Sequence, residues 1–167
     1  MRVYLPATLP ALAAWLAAGQ VPQGHGAAVT PALREWYRSG DLEELEYAAM
    51  IEAARASLRL LAVDAQAPRR RVVVVADVEA DTAVTPDVAA GRAAVHVGGP
   101  IRWNRVAAVH VDDPAAEPVI ARALLDPTAA DAARCLDDVD ACELAWYATQ
   151  EIPDLLAAGA KEDRWTQ

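Results

Sequence analysis

Arg69-Arg70-Arg71-Val72-Val73-Val74-Val75-Ala76-Asp77 is the stretch that decides the fold. Four successive β-branched residues favour an extended backbone. They do not alternate with polar residues, which marks a central strand buried on both faces. Such a strand needs a sheet around it and helices packed on that sheet. The arginine triplet guards the start of the strand against aggregation and pairs with nearby acids. It does not read as a nucleic-acid patch, because the surrounding charge is negative and no aromatic ladder accompanies it.

Outward from this strand the punctuation is legible. A short β-type run at 2–5 stops at Pro6. Thr8 caps a helix with Pro10 in its first turn and Gly19 at its end. Residues 20–28, with Gly24-His25-Gly26, read as a flexible loop. Thr30-Pro31 opens a second helix through Leu33, Trp36 and Tyr37, and Asp41 caps a long third helix over 42–63. Strands are expected at 93–97 and 106–111, with Gly98-Gly99-Pro100 as a turn between them, and Asp112-Asp113-Pro114 starts a helix over 114–125.

Beyond 128 two readings compete. Ala132, Cys135, Leu136, Val139, Cys142 and Trp146 fall at helical spacing. Asp137-Asp138-Val139-Asp140 reads as a turn, however, and 144–147 as a final strand, which is the preferred reading. It rests on an internal echo: Val3-Tyr4-Leu5-Pro6-Ala7-Thr8 followed by Pro10 and Gly19 resembles Trp146-Tyr147-Ala148-Thr149 followed by Pro153 and Gly159. The sum is a single α+β domain over 1–160, with one mixed or antiparallel sheet of about 4–5 strands and helices packed on it. A polar tail, 161–167, follows.

Composition narrows the function. The chain has 167 residues, with 24 acidic against 15 basic side chains and a formal net charge of −9. Phosphate binding needs clustered cations, so nucleic acid is not an expected partner. A hydrophobic content of 54% is too high for a disordered chain. Met1-Arg2 leads through Val3-Tyr4-Leu5 to Pro6 with no apolar signal region, and the apolar stretch 9–18 is about half the length of a membrane span. Cys135 and Cys142 lack zinc-site spacing and read as free thiols in a reducing compartment. The expectation is a cytoplasmic protein without a membrane partner.

Signatures of common chemistry are missing: there is no GxGxxG, GxxxxGK[ST], HExxH or GxSxG. The candidates are therefore individual side chains. Around the helix 42–63, Glu46 and Ser57 project between two apolar groups, at the edge of the core or into a pocket. Burial there would make Glu46 an acid or base. His96 and His110 lie in strands and are flanked by valines. If those strands are neighbours, the two rings meet as a base or, with Asp112, a metal site; otherwise both lie on the wet face. Glu46, His96 and His110 are the catalytic candidates. Arg34 and Tyr37 beside Trp36, with Arg55 and Arg59 on the next helix, form a candidate set for gripping a small anion. No metal site and no cofactor are assigned. Asp77 and Asp112-Asp113 follow strands, where acids serve sites and turns alike. Trp165 in the tail is a candidate anchor for a partner subunit.

Met1–Thr8, Ala28-Val29-Thr30-Pro31-Ala32-Leu33-Arg34-Glu35, Glu44-Leu45-Glu46-Tyr47-Ala48-Ala49 and Ala54-Arg55-Ala56-Ser57-Leu58-Arg59-Leu60-Leu61 together resemble an uncharacterised family of actinobacterial proteins of similar length. The similarity extends across Val72–Val78 and Val106–Asp112. It implies a cytosolic setting and carries no activity and no assigned residue. Two functional readings follow. The first is a non-enzymatic small-molecule or protein binding or regulatory module, with a homodimer and an anionic small molecule as expected partners. The alternative is a hydrolase- or transferase-type enzyme with an Arg/Glu/His pocket for an anionic substrate.

Overall fold

Val72–Asp77 forms β4, and Val72 through Ala76 are all buried. The structure, a computed structural model, describes residues 1–38, 40–79, 82–125 and 129–162, with 129–133 and 159–162 as backbone only. The chain runs β1 (Arg2–Ala7), α1 (Leu9–Ala18), β2 (Gln20–Val21), β3 (Gly24–Ala28), α2 (Pro31–Trp36), α3 (Leu42–Val63), β4, β5 (Val84–Pro86), β6 (Ala94–Val97) and β7 (Ile101–Arg102). It continues through β8 (Val106–Asp112), α4 (Glu117–Leu124), α5 (Ala129–Asp140), β9 (Leu144–Tyr147) and α6 (Ile152–Glu162). Among the described residues the main sheet has seven strands in the order β5-β6-β3-β1-β4-β8-β9, every neighbouring pair antiparallel. β2 and β7 form a separate two-stranded ribbon.

Alternation along each strand sorts the core into two layers. On one side Val3, Leu5, Val72, Val74, Val95, Val97, Val109 and Val111 pack with Leu12 of α1, Ile152 of α6, and Val21 and Ile101 of the ribbon. On the other, Tyr4, Ala27, Val73 and Val75 pack under Leu33 of α2 and Leu45, Ala49 and Ala53 of α3. A third cluster joins Leu58 and Leu61 of α3 to Ile120 of α4 and Val139 of α5.

The helix starts are fixed by local chemistry. Thr8 accepts from the Ala11 amide and Thr30 from the Leu33 amide, each followed by proline in the first turn. Asp41 and Glu44 form a reciprocal capping box at the start of α3. Gly19 closes α1 at φ 68°, where a side chain would be strained.

The structure corrects several expectations. Seven strands, not four or five, make the main sheet. Residues 20–28 are no flexible loop: β3 pairs with β1 and β6, and β2 pairs with β7. Gly26 marks close approach, since a Cβ there would lie 2.9 Å from the Tyr4 carbonyl oxygen. Gly98 and Gly99 lead from β6 into β7 rather than into β8, and β6 pairs with β5 and β3 instead of with β8. Asp137–Asp140 continues α5 instead of turning. β9 does exist, and its echo of β1 holds in order, since α1 and α6 pack on the same side. Thr149 is not the cap, however: its hydroxyl donates to Gln150, while the Glu151 carboxylate accepts from the Ala148 amide. α6 runs through Glu162, two residues into the expected tail, and Trp165 lies outside the described residues. Among the described residues no helix is long and apolar enough to cross a membrane.

Candidate functional site

One side of the sheet is only partly covered. Seven strands at about 4.8 Å spacing place the outer strands roughly 30 Å apart. A helix is about 10–12 Å across. α3 lies along this side, with short α2 at its start and α4 and α5 against its end. Grooves therefore flank α3, and most of the candidate residues line them.

Between α2 and α3 lies a cleft of about 460 Å³ lined by Trp36, Tyr37, Glu44, Tyr47, Glu52, Arg55 and Arg92, among others. Its aromatics are exposed: Trp36 by 62%, Tyr47 by 59% and Tyr37 by 43%. α2 is six residues long and buries only Leu33, so Trp36 and Tyr37 end up over the cleft rather than in the core. The Thr30 hydroxyl donates to the Arg92 carbonyl, which pins the Arg92 segment beside α2. The Arg92 guanidinium then stacks on the Trp36 ring, 3.8 Å from its centroid. Arg55 is engaged differently. Its Nη2 and Nε donate to Asp140 at 2.6 and 3.2 Å, and its Nη1 to Glu52 at 3.3 Å. The Asp140 hydrogen bond raises the Arg55 pKa despite partial burial. Arg55 thus braces α3 against α5 as well as lining the cleft. Glu44 is held by the capping box. Arg92 has no carboxylate partner among the described residues.

Tyr47 is a ridge. On its other flank a groove of about 470 Å³ is lined by Arg2, Tyr4, Glu46, Met50, His110 and Trp146. Glu46 lies 3.5 Å from Arg2, which also binds Asp77 at 3.2 Å. Burial, with the Glu46 charge adding, pushes the Tyr4 phenol up to about 12. Burial also lowers the His110 pKa, against a backbone hydrogen bond with Leu144. Two catalytic candidates, Glu46 and His110, therefore share one groove.

His96 is elsewhere. β6 and β8 are separated by β3, β1 and β4, so His96 and His110 do not meet. His96 instead stands opposite His25, ring centroids 5.3 Å apart. Arg34 is exposed on α2, and Arg59 lines a smaller groove of about 280 Å³ together with His25 and Glu52. Among the described residues no group of three or more His, Cys, Asp and Glu could hold a metal.

Ser57 is wholly buried; it donates to the Ala7 carbonyl at 2.7 Å and accepts from the Val72 amide at 2.9 Å. The projection between apolar groups was the signal for it, and its role is to join β1, α3 and β4. The arginine triplet divides its work. Arg69 binds carbonyls at the end of α3, Arg70 binds the Asp112 carbonyl, and Arg71 forms a fully buried pair with the Asp112 carboxylate at 2.8 Å. Arg92 and Tyr47 were missed by sequence reasoning, because nothing local marks an arginine that a distant threonine positions.

No curated protein and no solved structure matches the chain. A family model matches residues 1–156, nearly the whole chain, so this protein belongs to a family of unknown function, DUF6912.

Proposed function

We propose that this chain is a non-enzymatic binding module whose α2–α3 cleft takes a small molecule with a flat ring and an acidic group. The observation that carries this reading is the Arg92–Trp36 stack beside exposed Tyr37 and Tyr47. Exposed aromatics clustered around a cavity of this size are a common feature of binding sites. The rings offer faces for stacking. A guanidinium stacked on tryptophan keeps its N–H edge for a carboxylate or phosphate. The acids of the cleft are already engaged, Glu44 by Asp41 and Glu52 by Arg55. A cytosolic setting and a homodimer belong to the same reading.

The test is a thermal-shift and calorimetric screen of the full chain against aromatic carboxylates, nucleotides and aliphatic acids. The expected result is a hit with the aromatic acids that Trp36→Ala and Arg92→Ala each weaken by about tenfold or more, the worth of ~1.4 kcal/mol. Hits that both variants leave unchanged would overturn it.

The enzyme reading, a hydrolase or transferase, is favoured by one arrangement: Glu46 and His110 in a single groove beside Tyr4. Under it, turnover of an anionic ester or amide would vanish in Glu46→Gln and survive in Trp36→Ala.

A further inference from the structure

We infer that His25 and His96 form a two-imidazole site for a divalent transition-metal ion, with Zn²⁺ as its probe. The argument begins with the pleat. Val95 and Val97 pack into the apolar layer beneath α1 and α6, so His96 between them faces the opposite side. On β3, Ala28 belongs to that same apolar layer and Ala27 to the α3 side, so His25 also faces the α3 side. The register His25↔His96 sets the two residues directly across from one another.

The spacing suits one shared ion. A Zn–N bond is about 2.0–2.1 Å, and tetrahedral ligands subtend about 109°, so two imidazoles on one ion have ring centres roughly 5 Å apart. The observed separation is 5.3 Å, with the planes crossed at 64°. At this distance and angle the rings are in ordinary edge-to-face contact, so taking up a shared ion requires the two imidazoles to rotate until one nitrogen of each faces the same point.

The pair is also held on a rigid frame. Four register pairs, Gly24↔Val97 through Ala27↔Ala94, lock β3 to β6, and the close approach of Gly26 to Tyr4 locks β3 to β1. No third His, Cys, Asp or Glu completes the set among the described residues. The ion would thus keep open positions for water or for a ligand in the adjoining groove, which His25 lines with Arg59. Affinity for a nitrogen pair should follow the usual order, Cu²⁺ above Zn²⁺, with Mg²⁺ excluded.

The experiment is calorimetric titration of the full chain with Zn²⁺ at neutral pH, alongside histidine-ring NMR of the wild type. One ion per chain is expected, with the ring signals of His25 and His96 shifting together while His110 stays put. His25→Gln and His96→Gln should each weaken binding by about tenfold or more, whereas His110→Gln should change nothing. Equal losses in all three variants, or ring shifts at His110 alone, would overturn the assignment. So would Zn²⁺ binding that survives the His25→Gln/His96→Gln double variant.

Discussion

The two sides of the sheet are held by different physics. Beneath α1, α6 and the β2–β7 ribbon a continuous apolar cluster runs from Val3 and Leu5 to Val109, Val111 and Ile152, with polar side chains such as Arg105 and Glu79 at the margin of the ribbon. On the α3 side the apolar layer is thinner and rich in alanine. There the elements are joined by directional polar links: Arg71–Asp112, Ser57 between β1 and β4, Arg55–Asp140, and Glu46 with Arg2. A face covered by two helices and a ribbon can rely mainly on buried area. A face covered mainly by one helix must fix that helix at points, and the space between the points becomes groove. The candidate chemistry lies on the second face for this reason.

The largest expected effect tests the polar side. Arg71 and Asp112 are both fully buried, and Arg71 Nη2 also donates to the Cys142 carbonyl at 2.9 Å. Asp112→Asn leaves the guanidinium without its charge partner and should cost about 3–5 kcal/mol in denaturant unfolding. A loss below 1 kcal/mol would break the comparison, because the point contacts would then be ornamental. Next comes the apolar side. Leu12 of α1 is fully buried against the sheet, and Leu12→Ala should cost about 2–5 kcal/mol without altering any groove on the α3 side. Altered ligand binding in that variant would show that the two faces are not independent.

The smallest effect concerns pH. Folded His110 holds its proton less tightly than the ordinary value of 6.5, because burial disfavours the cation. As pH falls below 6.5 the unfolded chain takes up that proton first, so stability drops through this window. Above 6.5 both states are neutral at this residue and the full stability is present. The loss should stay under about 1 kcal/mol, since the ring is only partly buried, and His110→Gln should flatten that part of the stability–pH profile. An unchanged profile in the variant would place the acid sensitivity elsewhere.

The legible parts of the fold were those written in local chemistry. The valine run named the central strand, and Thr8, Thr30 and Asp41 named helix starts that the structure reproduces. What stayed hidden was set by partners far along the chain. β3 carries Gly-His-Gly-Ala-Ala, with no β-branched residue, and becomes a strand because β1 and β6 hydrogen-bond it on either side. The glycines suggested freedom, whereas Gly26 is there because the Tyr4 backbone leaves no room for a side chain. β5 is three residues long and β7 two, too short for any periodicity to show. For the site, helical rotation alone singled out Glu46 and Ser57, and the structure gives both of them polar partners. The cleft rested on Arg92, whose position depends on Thr30, 62 residues away in sequence. No local pattern encodes such a distance.

The ends of the sheet order carry one more consequence. At one boundary lies β5, three residues long and closed by Pro86, which has no amide proton to offer a new strand. At the other lies β9, four residues with Trp146 60% exposed. The molecule is therefore polarised against aggregation: the proline-blunted boundary resists edge-to-edge growth, and any colloidal instability at high concentration should begin at β9. For anyone concentrating or crystallising this protein, a charged residue in place of Trp146 is the first solubilising substitution to make.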